Sequence, residues 1–265
     1  MKVKPLKHST AAASYYNTRA EYYDEFNEDR SRGTNTILEQ ILKDQNIQTV
    51  LDLTCGTGSQ VFWLHKAEFD VVGVDINARM LKIAREKAKA KEVKIKFKRG
   101  DCRNIKMGHF DAAVTMFNSI GHLTKEDFQK TCQNISQNLK EGGIYVFDIF
   151  NSDYLKEGQN ISKLTIDWLA FVKGQLVREV QFSTISETGV LASYSTYVYP
   201  GIAPEGPKII KGYGNTLLCY NSDEIRTLLE QNGFNVLEQM DELGKKFNPK
   251  TSERILTVAK KRKIT

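Results

Sequence analysis

The chain reads as an α/β fold: a doubly wound, mostly parallel seven-stranded sheet, with a small antiparallel β insertion and N-terminal helices. Three observations predict it. Short apolar runs alternate with amphipathic stretches from residue 49 to residue 150, which implies parallel strands joined by helices on both faces. The first run, Val50-Leu51-Asp52-Leu53, leads into Thr54-Cys55-Gly56-Thr57-Gly58, and the next, Val71-Val72-Gly73-Val74, ends in Asp75. Strand, glycine bend, helix, strand and acid in that order make a nucleoside-binding βαβ unit. Residues 151–215 then switch to period-two alternation broken by Gly and Pro, the pattern of antiparallel hairpins.

Taken in order, residues 11–45 are predicted helical, because Tyr15, Tyr16, Tyr22, Tyr23 and Phe26 recur near helical spacing. Strands are expected near residues 49–54, 70–75, 94–99, 110–117 and 143–150, with helices near 59–67, 77–90 and 124–140. Thr124 with Asp127 is an N-cap signature, and Gly142-Gly143 is expected to stop that last helix. The inserted strands fall in KLTIDWLAFVK, QLVREVQFSTISE, VLASYSTYVYP and KIIKGYGNTLLCY. They are rich in Tyr (Tyr194, Tyr197, Tyr199, Tyr213, Tyr220), half of them for core packing and the rest for a substrate wall or a dimer contact. Asn221 with Glu224 opens a further helix, stopped by Gly233, and FNVLEQM and RILTVAK close the sheet, the last strand antiparallel. Three regions result: an N-terminal helical lid at 1–36, a nucleoside-binding domain at 37–150 together with 216–265, and an inserted β cap at 151–215.

A chain of 265 residues suits one domain of this class with an insertion. The net charge is +6, concentrated in Lys82 to Arg99 and Lys260 to Lys263. The helical string Met80 to Lys91 carries no aromatic to stack a base, so it reads as a solvated face and not a nucleic-acid surface. Cys55, Cys102, Cys132 and Cys219 show no C-x-x-C spacing, which predicts reduced thiols and a cytoplasmic protein. The basic N-terminal stretch has no apolar signal core, and no apolar run reaches a membrane span.

The chemistry concentrates at the glycine bend. Gly56 and Gly58 lack a Cβ, so the backbone can approach a ligand closely. The helix from Ser59 points free N–H groups at the same space. The third position of G-x-G-x-x-G holds Val61, which argues against a nicotinamide dinucleotide. Asp52 would repel a pyrophosphate but suits a ligand carrying an ammonium and a sulfonium. Asp75, ending the second strand, can accept from both ribose hydroxyls. His8, His65, His109 and His122 are scattered with no partner at ligand spacing, so no metal is expected. There is no G-x-S-x-G nucleophile elbow.

On these residues the chain resembles the class I S-adenosylmethionine-dependent methyltransferases, of small-molecule type and Rossmann-like fold. VLDLTCGTG is similar to the family's first motif, VVGVDIN to its second-strand acid and GDCRNI to its adenine-contacting segment. FDAAVTMFNSIGHL, LKEGGIYVFDIFN and SERILTVAKK extend the likeness over most of the chain apart from residues 151–215. Thr54 stands where the family most often has Gly, so an altered pocket wall is expected there.

The resemblance implies S-adenosyl-L-methionine as methyl donor and S-adenosyl-L-homocysteine as product. Asp52 would orient the methionine ammonium, Gly56 and Gly58 would pass against methionine and ribose, and Asp75 would hold the ribose. Ile76 would lie under the adenine with Met80 nearby, Asp101 would accept from the adenine amino group, Cys102 N–H would meet a ring nitrogen, and Phe117 would neighbour the methionine tail. Tyr16, Ala20, Tyr23 and Asp24 match a family lid pattern. His122 is the candidate base, with a structural or methionine-contacting role as its alternative. The expected reaction is in-line methyl transfer to a small-molecule acceptor, because the hairpin insertion could roof a compact substrate. The alternatives are methylation of RNA or protein, and a non-catalytic SAM-binding protein. Against a nucleic-acid substrate, MFNSIG lacks the Asn/Asp-Pro-Pro-aromatic signature of base-amino methylation. No membrane partner is expected, and the assembly is a monomer or homodimer.

Overall fold

The computed structural model describes residues 7–17, 20–172, 174–199 and 208–263. The elements run α1 (Tyr23–Asp44), β1 (Thr49–Asp52), α2 (Ser59–Lys66), β2 (Asp70–Asp75), α3 (Ala78–Ala90), β3 (Lys96–Arg99), β4 (Phe110–Thr115), α4 (Lys125–Asn138) and β5 (Leu139–Phe150). They continue with α5 (Ser152–Lys156), β6 (Ile166–Val172), β7 (Gln175–Ile185), β8 (Val190–Tyr199), β9 (Lys208–Leu218), α6 (Ser222–Gln231), β10 (Phe234–Met240) and β11 (Arg254–Lys261).

Seven strands form one sheet in the order β10-β11-β5-β4-β1-β2-β3, and β6 to β9 form a second, antiparallel sheet in sequence order. In the first sheet only β11 runs against its neighbours, β5 and β10. The direction of growth reverses between β1 and β4, and such a switch point leaves a crevice at the carboxyl ends of the strands.

Strand alternation sorts the core into two layers. Leu51, Tyr145 and Phe147 face α4 and α6, where Phe128, Ile135, Ile225 and Leu229 complete a buried cluster. Their neighbours Val50 and Val146 face the other way, onto Leu38, Leu42, Val61 and Leu64 of α1 and α2. Such near-continuous apolar strands are what a sheet covered on both faces requires. Phe128, wholly buried and packed edge-on to Phe147 at 5.6 Å, illustrates the weight of this layer. Phe128→Ala is expected to cost about 3–5 kcal/mol in urea unfolding.

Capping follows the sequence. Thr124 accepts from Asp127 N, and Asn221 with Glu224 forms a complete capping box. Several boundaries differ, β1 ending at Asp52 and β3 beginning at Lys96 among them. The continuous helix begins at Tyr23 and not near residue 11: residues 13–17 are turns and Ala20–Tyr22 is a 3-10 turn. There Tyr15 and Tyr16 pack against His122 instead of following one helix face. The side chains of Tyr22 and Phe26 lie outside the described residues. At the other end of the chain order, α4 stops at Asn138 before Gly142-Gly143 is reached. Lys261 Nζ donates to Ser136 O and Leu139 O, taking up helix-end carbonyls. β5 begins at once, and its glycines form a bulge between the pairs Phe110–Leu139 and Ala112–Ile144. Finally, β4 ends at Thr115, because Phe117 and Asn118 both turn left-handed with φ +59 and +60.

Candidate active site

β1 delivers Asp52 to the crevice and β2 delivers Asp75. The bend between β1 and α2 is built by Gly56 at φ +53 and Gly58 at φ +86, conformations that cost a side-chain-bearing residue dearly. At Gly58 a Cβ would also come within 3.0 Å of the Phe62 ring. The bend is tied to the second acid: Gly56 N donates to Asp75 Oδ2 at 2.8 Å, and Asn77 N donates to Asp75 Oδ1 at 2.7 Å. Asp52 Oδ1 accepts from Thr54 N at 3.0 Å.

Asp52 is buried and Asp75 is partly buried. Desolvation pushes the Asp52 carboxyl up to about 7, opposed by the Thr54 hydrogen bond and reinforced by the charge of Asp75. Asp75 is also raised, by burial first, against the hydrogen bonds it accepts. Two desolvated acids facing one crevice are relieved by a cation. For the ligand-free protein the sign follows. A folded-state value above the ordinary 3.8 stabilises the fold below pH 4, and that contribution is lost as pH rises through about 7.

Two adjoining cavities open here. The smaller, about 130 Å³, is bounded by Asp75, Ile76, Asn77, Met80, Asp101 and Cys102, so it gathers the adenosine-side residues expected from the sequence. The larger, about 520 Å³, has Asp52 and the glycine bend on one side and Glu179, Gln181 and Asn215 of the second sheet on the other. Tyr16, Tyr23, Thr54, Gly56, Phe117 and His122 border both. Gly58 borders neither cavity: it supports the bend as the N-cap of α2.

The expected contacts divide by what else holds them. Thr54 keeps a negative φ, and its Oγ1 is buried with no hydrogen-bond partner among the described residues, an orphan polar atom on the shared wall. Such an atom fits a polar ligand there. Asp101 is gripped by Arg103, whose Nε lies 2.9 Å from Oδ1 and Nη2 2.6 Å from Oδ2, and this guanidinium holds the carboxyl below its ordinary value. The same arginine reaches Asp127 Oδ2 at 2.5 Å. Asp101 therefore comes to the cavity with both oxygens already engaged.

The N-terminal segment is laced over this crevice. Tyr16 packs edge-on to Tyr23 at 5.6 Å, and its hydroxyl lies 2.8 Å from His122 Nε2. His8 bonds Leu123 O and Thr216 Oγ1, and Ala11 N donates to His122 O. Asp24 accepts from Thr57 Oγ1 at 2.5 Å and from Lys87 Nζ at 2.9 Å, so it clamps α1 to the glycine bend and to α3. His65 lies on α2 and borders neither cavity.

Several residues of the site escaped the sequence reading. Asn77 caps α3 through its Oδ1, and its Nδ2 donates to Ala13 O and Asn17 Oδ1. An Asn directly before a helix was the available signal. Asn118, Glu179, Gln181, Asn215, Glu242 and Arg254 carry no local signature, since tertiary folding alone brings them together.

Residues 50–143 match the family model for a methyltransferase domain. A protein of Geobacillus sp. (strain WCH70), named as a methyltransferase, is 26% identical over 262 residues, 93% of this chain and 99% of the relative. A S-adenosylmethionine-dependent methyltransferase from Clostridium acetobutylicum ATCC 824 superposes with a TM-score of 0.74 at 23% identity, covering 94% of this chain and 99% of that one. CalS10, an amino pentose methyltransferase from Micromonospora echinaspora solved with SAM bound, gives 0.69 at 18% identity over 97% and 99% of the two chains. Family model, full-length relative and fold point the same way: residues 50–143 match a methyltransferase domain, and the chain shares its fold with solved methyltransferases.

Proposed function

We propose that the protein methylates a small, polar amine by in-line displacement. The observation that carries this reading is the roofed cavity, closed on the acceptor side by Glu179, Gln181 and Asn215. A chamber of about 520 Å³ falls in the size range of small-ligand sites. Its charge favours an amine. Among its described lining residues Asp24, Asp52, Glu179 and Glu242 are acidic and Arg254 is basic, and Arg254 is paired with Asp148. Asn215 Oδ1 is buried and lacks a hydrogen-bond partner among the described residues, so it can accept from an N–H or O–H.

S-adenosylmethionine, when bound, supplies a methyl group already activated by its positive sulfur. The chain's part is to hold and align. Asp75 would take the ribose, Asp52 the methionine ammonium, and Tyr16 and Tyr23 would lay aromatic surface over the cation. Tyr16 Oη and His122 Nε2 form a relay that can accept the proton an amine releases on methylation.

A screen of small amines with radiolabelled methyl donor tests the reading. Label in a primary or secondary amine supports it, and label only in RNA or protein overturns it. Two sharper outcomes are expected. Glu179→Gln should raise KM for the amine about tenfold while donor affinity stays within twofold, the loss of one charge-assisted contact. Donor affinity in wild-type protein should rise with pH from 6 and flatten above about 7, because the cation binds the ionised Asp52. Calorimetry should find that slope absent in Asp52→Asn; a flat wild-type profile would remove Asp52 from the ammonium site.

A further inference from the structure

The second sheet places apolar residues on its outer face as well as its inner one, against the usual rule that the solvent side is polar. On β7, Val177, Glu179, Gln181 and Ser183 point to the cavity side, while Leu176, Val180 and Phe182 point out. Inside, Ser183 and Ser193 share a hydrogen bond at 2.7 Å, and Ser195 Oγ donates to Gln181 Oε1 at 2.7 Å. Outside, Phe171 is 71% exposed, Phe182 56%, Leu169 52% and Tyr194 41%. Phe182 and Tyr194 stack at 5.0 Å, and the Tyr194 ring lies over Gly214, which leaves a flat plate.

We propose that this outer face is the contact between two copies of the chain. The area fits. The exposed fractions of Leu169, Phe171, Leu176, Val180, Phe182 and Tyr194 leave about 500 Å² of apolar side chain open, toward the upper end for a monomer's largest patch. A standard interface buries about 800 Å² per partner, about 60% of it apolar, so the patch supplies that share. The charge fits as well. The chain carries +6 overall, yet the ionised groups among the described outward residues are Asp167 and Arg178, which pair with each other. Among the described residues a second copy therefore meets no like charge, and an anionic lipid surface would find no unpaired cation. A flat neutral patch can serve as its own complement across a two-fold axis. The same strands carry Glu179 and Gln181 on their inner face, so the partner copy would brace the cavity roof.

Sedimentation velocity of the full chain at tens of micromolar tests this. Wild type is expected at twice the 30.1 kDa chain mass. Phe171→Glu with Phe182→Glu should sediment as the single chain while keeping its thermal shift with S-adenosylmethionine. Leu237→Glu, an exposed apolar residue elsewhere, should remain double. If the charged pair fails to fold, Phe171→Ser with Phe182→Gln should raise the dissociation constant at least tenfold. A wild-type mass of one chain, an undissociated double variant, or a single-chain species that pellets with anionic vesicles would each overturn the proposal.

Discussion

Asp75→Ala is expected to weaken binding of S-adenosylmethionine about a hundredfold. Each Asp75 oxygen already accepts one backbone N–H, from Gly56 and from Asn77, and that pair of bonds aims the carboxylate. Each oxygen keeps a further lone pair for a ribose hydroxyl. Two hydrogen bonds to a charged group, at about 1.5 kcal/mol each, give about 3 kcal/mol, which is a factor of about a hundred. Alanine also orphans the Gly56 N–H, so the bend loses its tether. The fold should survive, because burial raises the Asp75 carboxyl and its removal relieves a desolvated charge at pH 8. Asp75→Asn, which keeps one acceptor oxygen, should lose about tenfold. Calorimetry showing Asp75→Ala within threefold of wild type would dismiss the ribose role.

The second large effect is on stability. Arg254 of β11 reaches Asp148 of β5 with Nη1 and stacks 4.3 Å over the Phe150 ring. The Asp148 side chain is 3% exposed, and its Oδ1 also accepts from Asn118 N at 3.3 Å. Arg254→Met would leave a carboxylate buried without its cation, a loss of about 3–5 kcal/mol. For a chain of this size that is a fall in Tm of about 10 °C. Adding Asp148→Asn should recover at least half, since the uncompensated charge disappears. Urea unfolding that finds Arg254→Met within 1 kcal/mol of wild type would show that water reaches Asp148. Because Asp148 supports the left-handed Phe117-Asn118 corner, the single variant should also blunt donor binding.

How far the sequence could be read depended on how local each cause is. The glycine bend, the acids ending β1 and β2, and the caps at Thr124 and Asn221 all act within a few residues, so spacing and residue type reveal them. The first helix starts later than the aromatic spacing implies, because that spacing alone cannot tell a helix face from a knot of rings. Tyr15 and Tyr16 pack against His122 over the crevice, and Tyr23 packs on Tyr16, instead of all following one stripe. The end of α4 was misread because a lysine from the last strand takes its carbonyls before the glycines are reached.

The far wall of the larger cavity illustrates the same limit more strongly. Glu179, Gln181, Asn215 and Arg254 come from three strands of two sheets. Period-two alternation identified those strands, but it could not say which face turns inward. A rule that buries apolar residues would have pointed Phe182 and Val180 at the cavity. The structure points Glu179 and Gln181 there instead.

By itself the sequence determined one side of the crevice: an α/β sheet whose first two strands end in acids around a bare glycine bend. Those features follow from backbone sterics and from charge within short stretches of chain. Only the tertiary structure decided the facing side, namely the rings folded over His122, the Glu179 and Gln181 side chains turned to the larger cavity, and the guanidinium set against Asp148. These depend on which distant surfaces meet, and long-range packing chooses that on the total free energy of the fold, not on the preference of any one segment.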